Sequence, residues 1–167
     1  MLVIFLKRVF QMAVLIALQV LVCNHIHLFG YATPMLYVLF LLRFPLNGAR
    51  VGNMLWAFVM GLIIDVFSNT LGEAAASKTL AAFVQWPLLQ ATAPKDALED
   101  MKPSYQTMGK WNYIRYIAIL TLVHHVAFYL LEAFSFFSMT RLLLSLGASY
   151  LLSLVLMLTL ETLRHGK

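Results

Sequence analysis

The sequence predicts an all-α integral membrane protein, a polytopic bundle of about six transmembrane helices in a single domain over residues 1–167. Two observations on composition predict this class: 62% of the residues are hydrophobic and only 11% are charged. A soluble domain has about 45–50% apolar and about 25% charged residues. The third observation is that the cationic residues lie between apolar runs, where they act as topology signals.

Six apolar runs are candidates for transmembrane helices, each of which needs roughly 20 residues at a rise of 1.5 Å per residue. They cover approximately residues 9–23, 27–42, 52–67, 74–91, 113–137 and 139–163. The second run is the weakest, because its purely apolar core (35–42) is short and Pro34 stands at its start. This run either crosses the bilayer or enters and leaves on the same side.

The distribution of charge favours six crossings. If all runs cross, 10 of the 12 Lys and Arg residues fall on one side, and only Lys78 and Arg141 fall on the other. Such a bias places the cationic side, with both chain termini, in the cytoplasm. The one sizeable hydrophilic segment, about 92–112, is then a cytoplasmic loop.

Asp65 lies inside the third apolar run, where a carboxylate is costly unless it is paired or hydrated. A turn-like sequence at 68–72 follows and predicts a hairpin with the fourth run. Because Asp65 and Lys78 stand at similar distances from this turn, we hypothesise an ion pair that fixes the hairpin. The alternative is that Asp65 caps the helix end near water.

The fifth run carries a polar stripe on one helical face, with residues spaced by four, four and three positions: Thr121, His125, Tyr129 and Glu132. This face is expensive to expose to lipid. One interpretation is a hydrogen-bonded seam against another helix. The other is a hydrated pocket or proton path in which His124 also titrates.

The sixth run carries small residues at four-residue spacing, Ser145, Ser149 and Ser153, with Gly147 beside them. A face of this kind lets another helix approach closely. The sequence leaves two partners open, a helix of the same chain or a second copy in a self-associated complex.

Chemistry-bearing motifs are absent from the sequence. The single Cys23 excludes an internal disulfide, and no zinc-ligand spacing, nucleotide loop or nucleophile elbow occurs. No basic face indicates nucleic acid. We therefore expect neither an enzyme nor a resident cofactor or metal.

Residues 61–72 contain a glycine, an aspartate four positions later and a glycine after the turn, namely Gly61, Asp65 and Gly72. This pattern, together with the chain length and the predicted helix number, resembles the rod shape-determining protein MreD family. Members are small multi-pass proteins of the bacterial inner membrane with cytoplasmic termini. The resemblance assigns these three residues to the family motif without giving them a chemical role.

The resemblance implies a non-catalytic scaffold of the cell-elongation machinery that lies in the lipid bilayer and binds MreC. The filament protein MreB and the glycosyltransferase RodA, with its transpeptidase, are further expected partners. Members of the family also resemble in fold the substrate-binding subunits of energy-coupling-factor transporters. The alternative function is therefore a small-molecule-binding subunit of a membrane transporter, for which the stripe on the fifth run is the supporting feature.

Overall fold

The computed structural model describes residues 2–26, 32–44, 49–70, 72–94, 101–133 and 139–165. Its α-helices are α1 (Leu2–Leu21), α2 (Arg50–Ser68), α3 (Glu73–Thr92), α4 (Tyr105–Met108), α5 (Lys110–Glu132) and α6 (Met139–His165). Two 3-10 helices, Cys23–His25 and Leu36–Arg43, lie between α1 and α2. Parts of the predicted second run (27–31), fifth run (134–137) and cytoplasmic loop (95–100) lie outside the described residues.

Four of the described helices are long and apolar enough to cross a membrane: Leu2–His25, Arg50–Ser68, Lys110–Glu132 and Met139–Leu163. The described residues are therefore all-helical, as predicted, with four candidate membrane-spanning helices. Helix α3 has 20 residues, but Glu73, Lys78 and Gln85 lower its hydropathy. The predicted count of six transmembrane helices is not reached by this criterion.

The second apolar run differs most from its prediction. Its helical part, Leu36–Arg43, has eight residues in 3-10 geometry. At about 2.0 Å per residue such a helix is roughly 16 Å long, against about 30 Å for the hydrocarbon core of a bilayer. Proline at position 34 removes one backbone donor just before it and disfavours an α-helix through this point.

Helices α1 and α2 run in the same direction. The rings of Phe5 and Trp56 are 5.4 Å apart, and at the other end Asn24 Nδ2 donates to Ser68 Oγ at 2.8 Å. We call the end with Asn24 and Ser68 the distal end, and the end with Arg8 and Arg50 the proximal end. Because α1 ends distally and α2 begins proximally, the chain between them returns through the bundle.

Residues 32–44, here called the inserted segment, make this return inside the bundle. Nearly all of its described side chains are buried, including Val38, Leu41 and Phe44. Its last residue, Phe44, lies 5.3 Å from the guanidinium carbon of Arg8, which places it at the proximal end. The core of the protein is therefore built around a stretch of chain that is not α-helical.

Helix α3 is the central helix. It is antiparallel to α2, to which it is joined by residues 69–72, and it packs against α5 on its other side. Helices α5 and α6 are antiparallel, as two side-chain pairs show: Tyr113 with Glu161 near one end, and Tyr129 with Ser149 near the other. The inserted segment contacts α1, α2, α3, α5 and α6.

The described part of the hydrophilic loop folds against the proximal end. A helical turn forms at Tyr105–Met108, after Pro103, and Ser104 caps it by accepting the Thr107 N–H at 3.2 Å. The Tyr105 and Tyr113 rings are 4.7 Å apart, and Met108 is buried. Burial, and secondarily the nearby Glu161, raise the pKa of Tyr105, so its hydroxyl stays protonated at neutral pH.

Candidate functional site

The residues of the predicted motif form one structural unit at the turn between α2 and α3. Asp65, in the last turn of α2, accepts the backbone N–H groups of Ala74 and Ala75, each at 2.9 Å, and also the Thr70 hydroxyl. These two N–H groups belong to the first turn of α3, which has no intrahelical acceptor for them. Asp65 therefore caps the next helix, and its negative charge faces the positive end of that helix dipole.

The two glycines make this cap possible. A Cβ built on Gly61 would lie 2.4 Å from the Cα of Ala75, so only glycine lets α2 and the start of α3 approach so closely. Gly72, the residue before the first turn of α3, has φ +86°, a left-handed conformation that favours glycine. Gly72 has no side chain with which to cap α3, and Asp65 supplies the missing acceptor from the preceding helix.

The hypothesised ion pair between Asp65 and Lys78 is wrong. Asp65 is bound by the start of α3, whereas the Lys78 ammonium donates to the backbone oxygen of Tyr37 at 2.9 Å and contacts the sulfur of Met60. The equal spacing from the turn does not bring the groups together, because Lys78 points to the inserted segment. The alternative interpretation, that Asp65 caps a helix end, agrees with these bonds. The capped helix is α3, and the Asp65 side chain is buried, with 4% exposure, rather than near water.

Lys78 is fully buried in the centre of the bundle. Its nitrogen lies 4.7 Å from the centre of the Tyr37 ring and 5.4 Å from that of Phe40. The aromatic faces and the Tyr37 carbonyl offer partial negative charge to the amino group in place of a carboxylate. Lys78 therefore ties α3 to the inserted segment.

Side chains from three helices bind the backbone of the inserted segment. From α1, Gln19 accepts the Leu36 N–H at 2.9 Å and donates to the Pro34 oxygen at 2.9 Å. From α3, Gln85 donates to the Leu41 oxygen at 2.6 Å, beside the bond from Lys78 to Tyr37.

Two serines of α6 complete this set of bonds. The Ser149 hydroxyl accepts the Thr33 N–H at 2.9 Å, and the Ser153 hydroxyl accepts the Met35 N–H at 2.8 Å. Irregular backbone is tolerated at membrane depth only where protein or water satisfies its polar groups. Together with Gln19, Lys78 and Gln85, these serines make the short 3-10 segment acceptable inside an apolar bundle.

Two side chains of the polar stripe on α5 form hydrogen bonds with the α6 serines. His125 Nε2 is 3.1 Å from Ser153 Oγ, and Tyr129 Oη is 2.6 Å from Ser149 Oγ. His125 Nδ1 is 2.8 Å from the Thr121 carbonyl, which can only accept, so Nδ1 carries the proton and Nε2 accepts from Ser153. The stripe thus lies in an interhelical seam, one of its two predicted interpretations.

The remaining stripe residues have different surroundings. The Thr121 hydroxyl is 3.6 Å from the sulfur of Met157 in the same seam. Glu132 is half-buried and lines a cavity, whereas Ser145 is half-buried and makes no side-chain hydrogen bond to another described residue. A Cβ on Gly147 would meet nothing within 4 Å, so this glycine does not provide close helix packing within the chain.

Sequence reasoning did not single out Gln19 or Gln85, each of which is a fully buried amide that binds the inserted segment. A signal for both was present, because an amide in an apolar run is as conspicuous as the serines. His124 is also fully buried, and its two ring nitrogens have no hydrogen-bond partner in the described part of the chain. Its ring lies edge-on to Tyr37, with the centroids 5.1 Å apart.

A cavity of about 450 Å³ lies at the distal end. Its polar lining includes Asn24, Ser68 and Glu132, and its apolar walls include Phe67 and Phe128. Ligand sites of small molecules have volumes of about 300–1,000 Å³ and combine apolar walls with a few polar groups. This cavity is therefore large enough for a small molecule or a lipid headgroup.

Among the residues that the structure describes, no group of three or more His, Cys, Asp or Glu is placed to hold a metal ion. Comparison with family models found no match, and neither the curated proteins nor the solved structures contain a match to this chain.

Proposed function

We propose that this protein is a non-catalytic scaffold of the bacterial cell-elongation complex, embedded in the inner membrane with both termini in the cytoplasm and bound to MreC. The proposal rests on the resemblance of residues 61–72 to the MreD family. It includes six passages of the chain through the bilayer, of which α3 is less apolar and the inserted segment is short. RodA with its transpeptidase and MreB are the further proposed partners.

The observation that carries the proposal is the role of the motif in the fold. Gly61, Asp65 and Gly72 act together, because the close approach at Gly61 and the turn at Gly72 bring the α3 N-terminus onto the Asp65 carboxylate. A chance match to the motif has no reason to give three residues one shared task. A shared structural task of this kind is expected of a motif that a family needs in order to fold.

The use of the polar side chains favours a scaffold over an enzyme. The seam residues His125, Ser149 and Ser153 are bonded to one another or to the inserted segment. Asp65 is likewise engaged with backbone groups. Because these side chains hold the fold together, we assign the function to the surface that the bundle presents to other proteins.

The test is genetic and biochemical. Depletion of the protein from a rod-shaped host should produce round cells, and affinity purification from mild detergent should recover MreC. In depleted cells, a Gly61→Leu variant should fail to restore the rod shape and should not recover MreC on purification. A Gly147→Ala variant, changed at an open position, should do both. The scaffold function would be rejected if depleted cells stayed rod-shaped and the purified protein carried no MreC.

The distal cavity favours a second candidate function, a small-molecule-binding subunit of a transporter. Its volume of about 450 Å³ and its mixed lining fit a ligand site. In this case purification should recover an ATPase module and a bound small molecule in place of MreC. Cells depleted of the protein should keep their shape and lose uptake of the ligand.

A further inference from the structure

The distal cavity contains a carboxylate that the fold itself does not use. Glu132 lines the cavity, is half-buried, and has no hydrogen-bond or ion-pair partner among the described residues. A carboxylate removed from water without a partner costs free energy. The group is therefore available to a ligand.

The electrostatic surroundings of Glu132 favour a cation. Glu73 is close enough for its charge to act on Glu132, and Asp65 acts on Glu73 in the same way. Asp65 is neutralised in part by the helix end that it caps, and Glu132 is the acidic side chain among the described residues that line the cavity. Of the described residues that line the cavity, His25 is the one with a basic side chain.

The walls of the cavity add a preference for an organic cation over a hydrated metal ion. Among the described residues, four aromatic side chains line it: Tyr37, Phe67, Phe128 and Tyr129. Aromatic faces attract ammonium groups, and they do not replace the oxygen ligands that Mg²⁺ or Ca²⁺ requires. Asn24 and Thr33 supply polar atoms near the same space.

We propose that the distal cavity binds an organic ammonium group, with the Glu132 carboxylate as its counter-ion and the aromatic side chains as its walls. Two sources share this chemistry, the ethanolamine headgroup of a phospholipid and a free amine. The proposal deepens the second candidate function and is independent of the scaffold.

The experiment uses the full chain in nanodiscs and two ammonium probes, phosphatidylethanolamine and free ethanolamine. Lipid retention is measured by native mass spectrometry against phosphatidylglycerol, and ethanolamine binding by calorimetry against acetate. Glu132→Gln removes the charge, and Glu132→Asp is the matched variant that keeps it. The unfolding temperature of each variant reports whether it is folded.

We expect one ammonium probe to bind wild type and Glu132→Asp, and to bind at least tenfold more weakly to Glu132→Gln. Selective retention of the lipid identifies a headgroup site, and binding of ethanolamine identifies a free-amine site. Equal binding of phosphatidylglycerol or acetate, or unchanged ammonium binding by folded Glu132→Gln, would overturn the proposal. Recovery of an anionic ligand together with an ATPase module would also overturn the ammonium proposal, but it would support the second candidate function.

Discussion

The Asp65 carboxylate accepts the backbone N–H of Ala75 at 2.9 Å, so the last turn of α2 caps the first turn of α3. The same carboxylate binds Ala74, and Gly61 allows the close packing that brings these groups together. The hairpin is thus fixed by a bond from a side chain to a helix end. Two predictions concern this unit, and two concern the bonds to the inserted segment.

Asp65→Asn should lower the free energy of unfolding by about 1–2 kcal/mol, because it removes the charge at the helix dipole and replaces one of the two accepting oxygens by an N–H donor. Reversible unfolding in mixed micelles measures the change. Val66→Ala, at an exposed neighbouring position, should stay close to wild type. The exchanged variant Asp65→Lys/Lys78→Asp should not fold, and its recovery as a stable protein would restore the ion-pair hypothesis.

Gly61→Ala should destabilise the protein by about 1–3 kcal/mol, because overpacking of a close contact forces backbone shifts. The added Cβ meets backbone atoms of Ala74 and Ala75, which cannot rotate away as a side chain could. Gly147→Ala is the matched control, since its Cβ meets nothing within 4 Å and alanine favours the helix. Equal stability of the two variants in thermal unfolding would contradict the close approach of α2 and α3.

Lys78→Met should lose about 1–2 kcal/mol, because methionine fills the space but deprives the buried Tyr37 oxygen of its donor from α3. Lys78→Ala should lose about 2–4 kcal/mol, since it leaves a cavity in a fully buried position. Unfolding monitored by tryptophan fluorescence separates the two. An equal, large loss for methionine and alanine would show that the bond from the amino group, and not the packing, holds the segment.

Ser153→Ala should lower stability by about 1–2 kcal/mol, because it leaves the Met35 N–H without an acceptor inside the bundle. Ser145→Ala, eight residues earlier on α6, should change stability by less than about 0.5 kcal/mol, because this half-buried serine makes no side-chain hydrogen bond to another described residue. The comparison is made by the same unfolding measurement. If the two serines have equal effects, the α6 stripe serves general helix packing.

Periodicity and composition were sufficient to predict the helical membrane class, since apolar runs of this length have few other stable environments. The stripe on α5 was also visible, because His125 and Tyr129 lie one turn apart. The pairing of Asp65 could not be predicted, because spacing along two helices does not fix their rotation. The 3-10 form of the second run depends on Gln19 and Gln85, which lie far from it in sequence.

The central claim is that buried side chains satisfy the backbone of the inserted segment, and amide hydrogen exchange at residues 33–41 in lipid nanodiscs tests it most directly. In wild type the amides of Met35 and Leu36 should exchange slowly. Ser153→Ala should accelerate exchange at Met35, and Gln19→Leu at Leu36, while residues 53–64 of α2 stay unchanged. Rapid exchange of both amides in wild type, or unchanged exchange in both variants, would contradict the account.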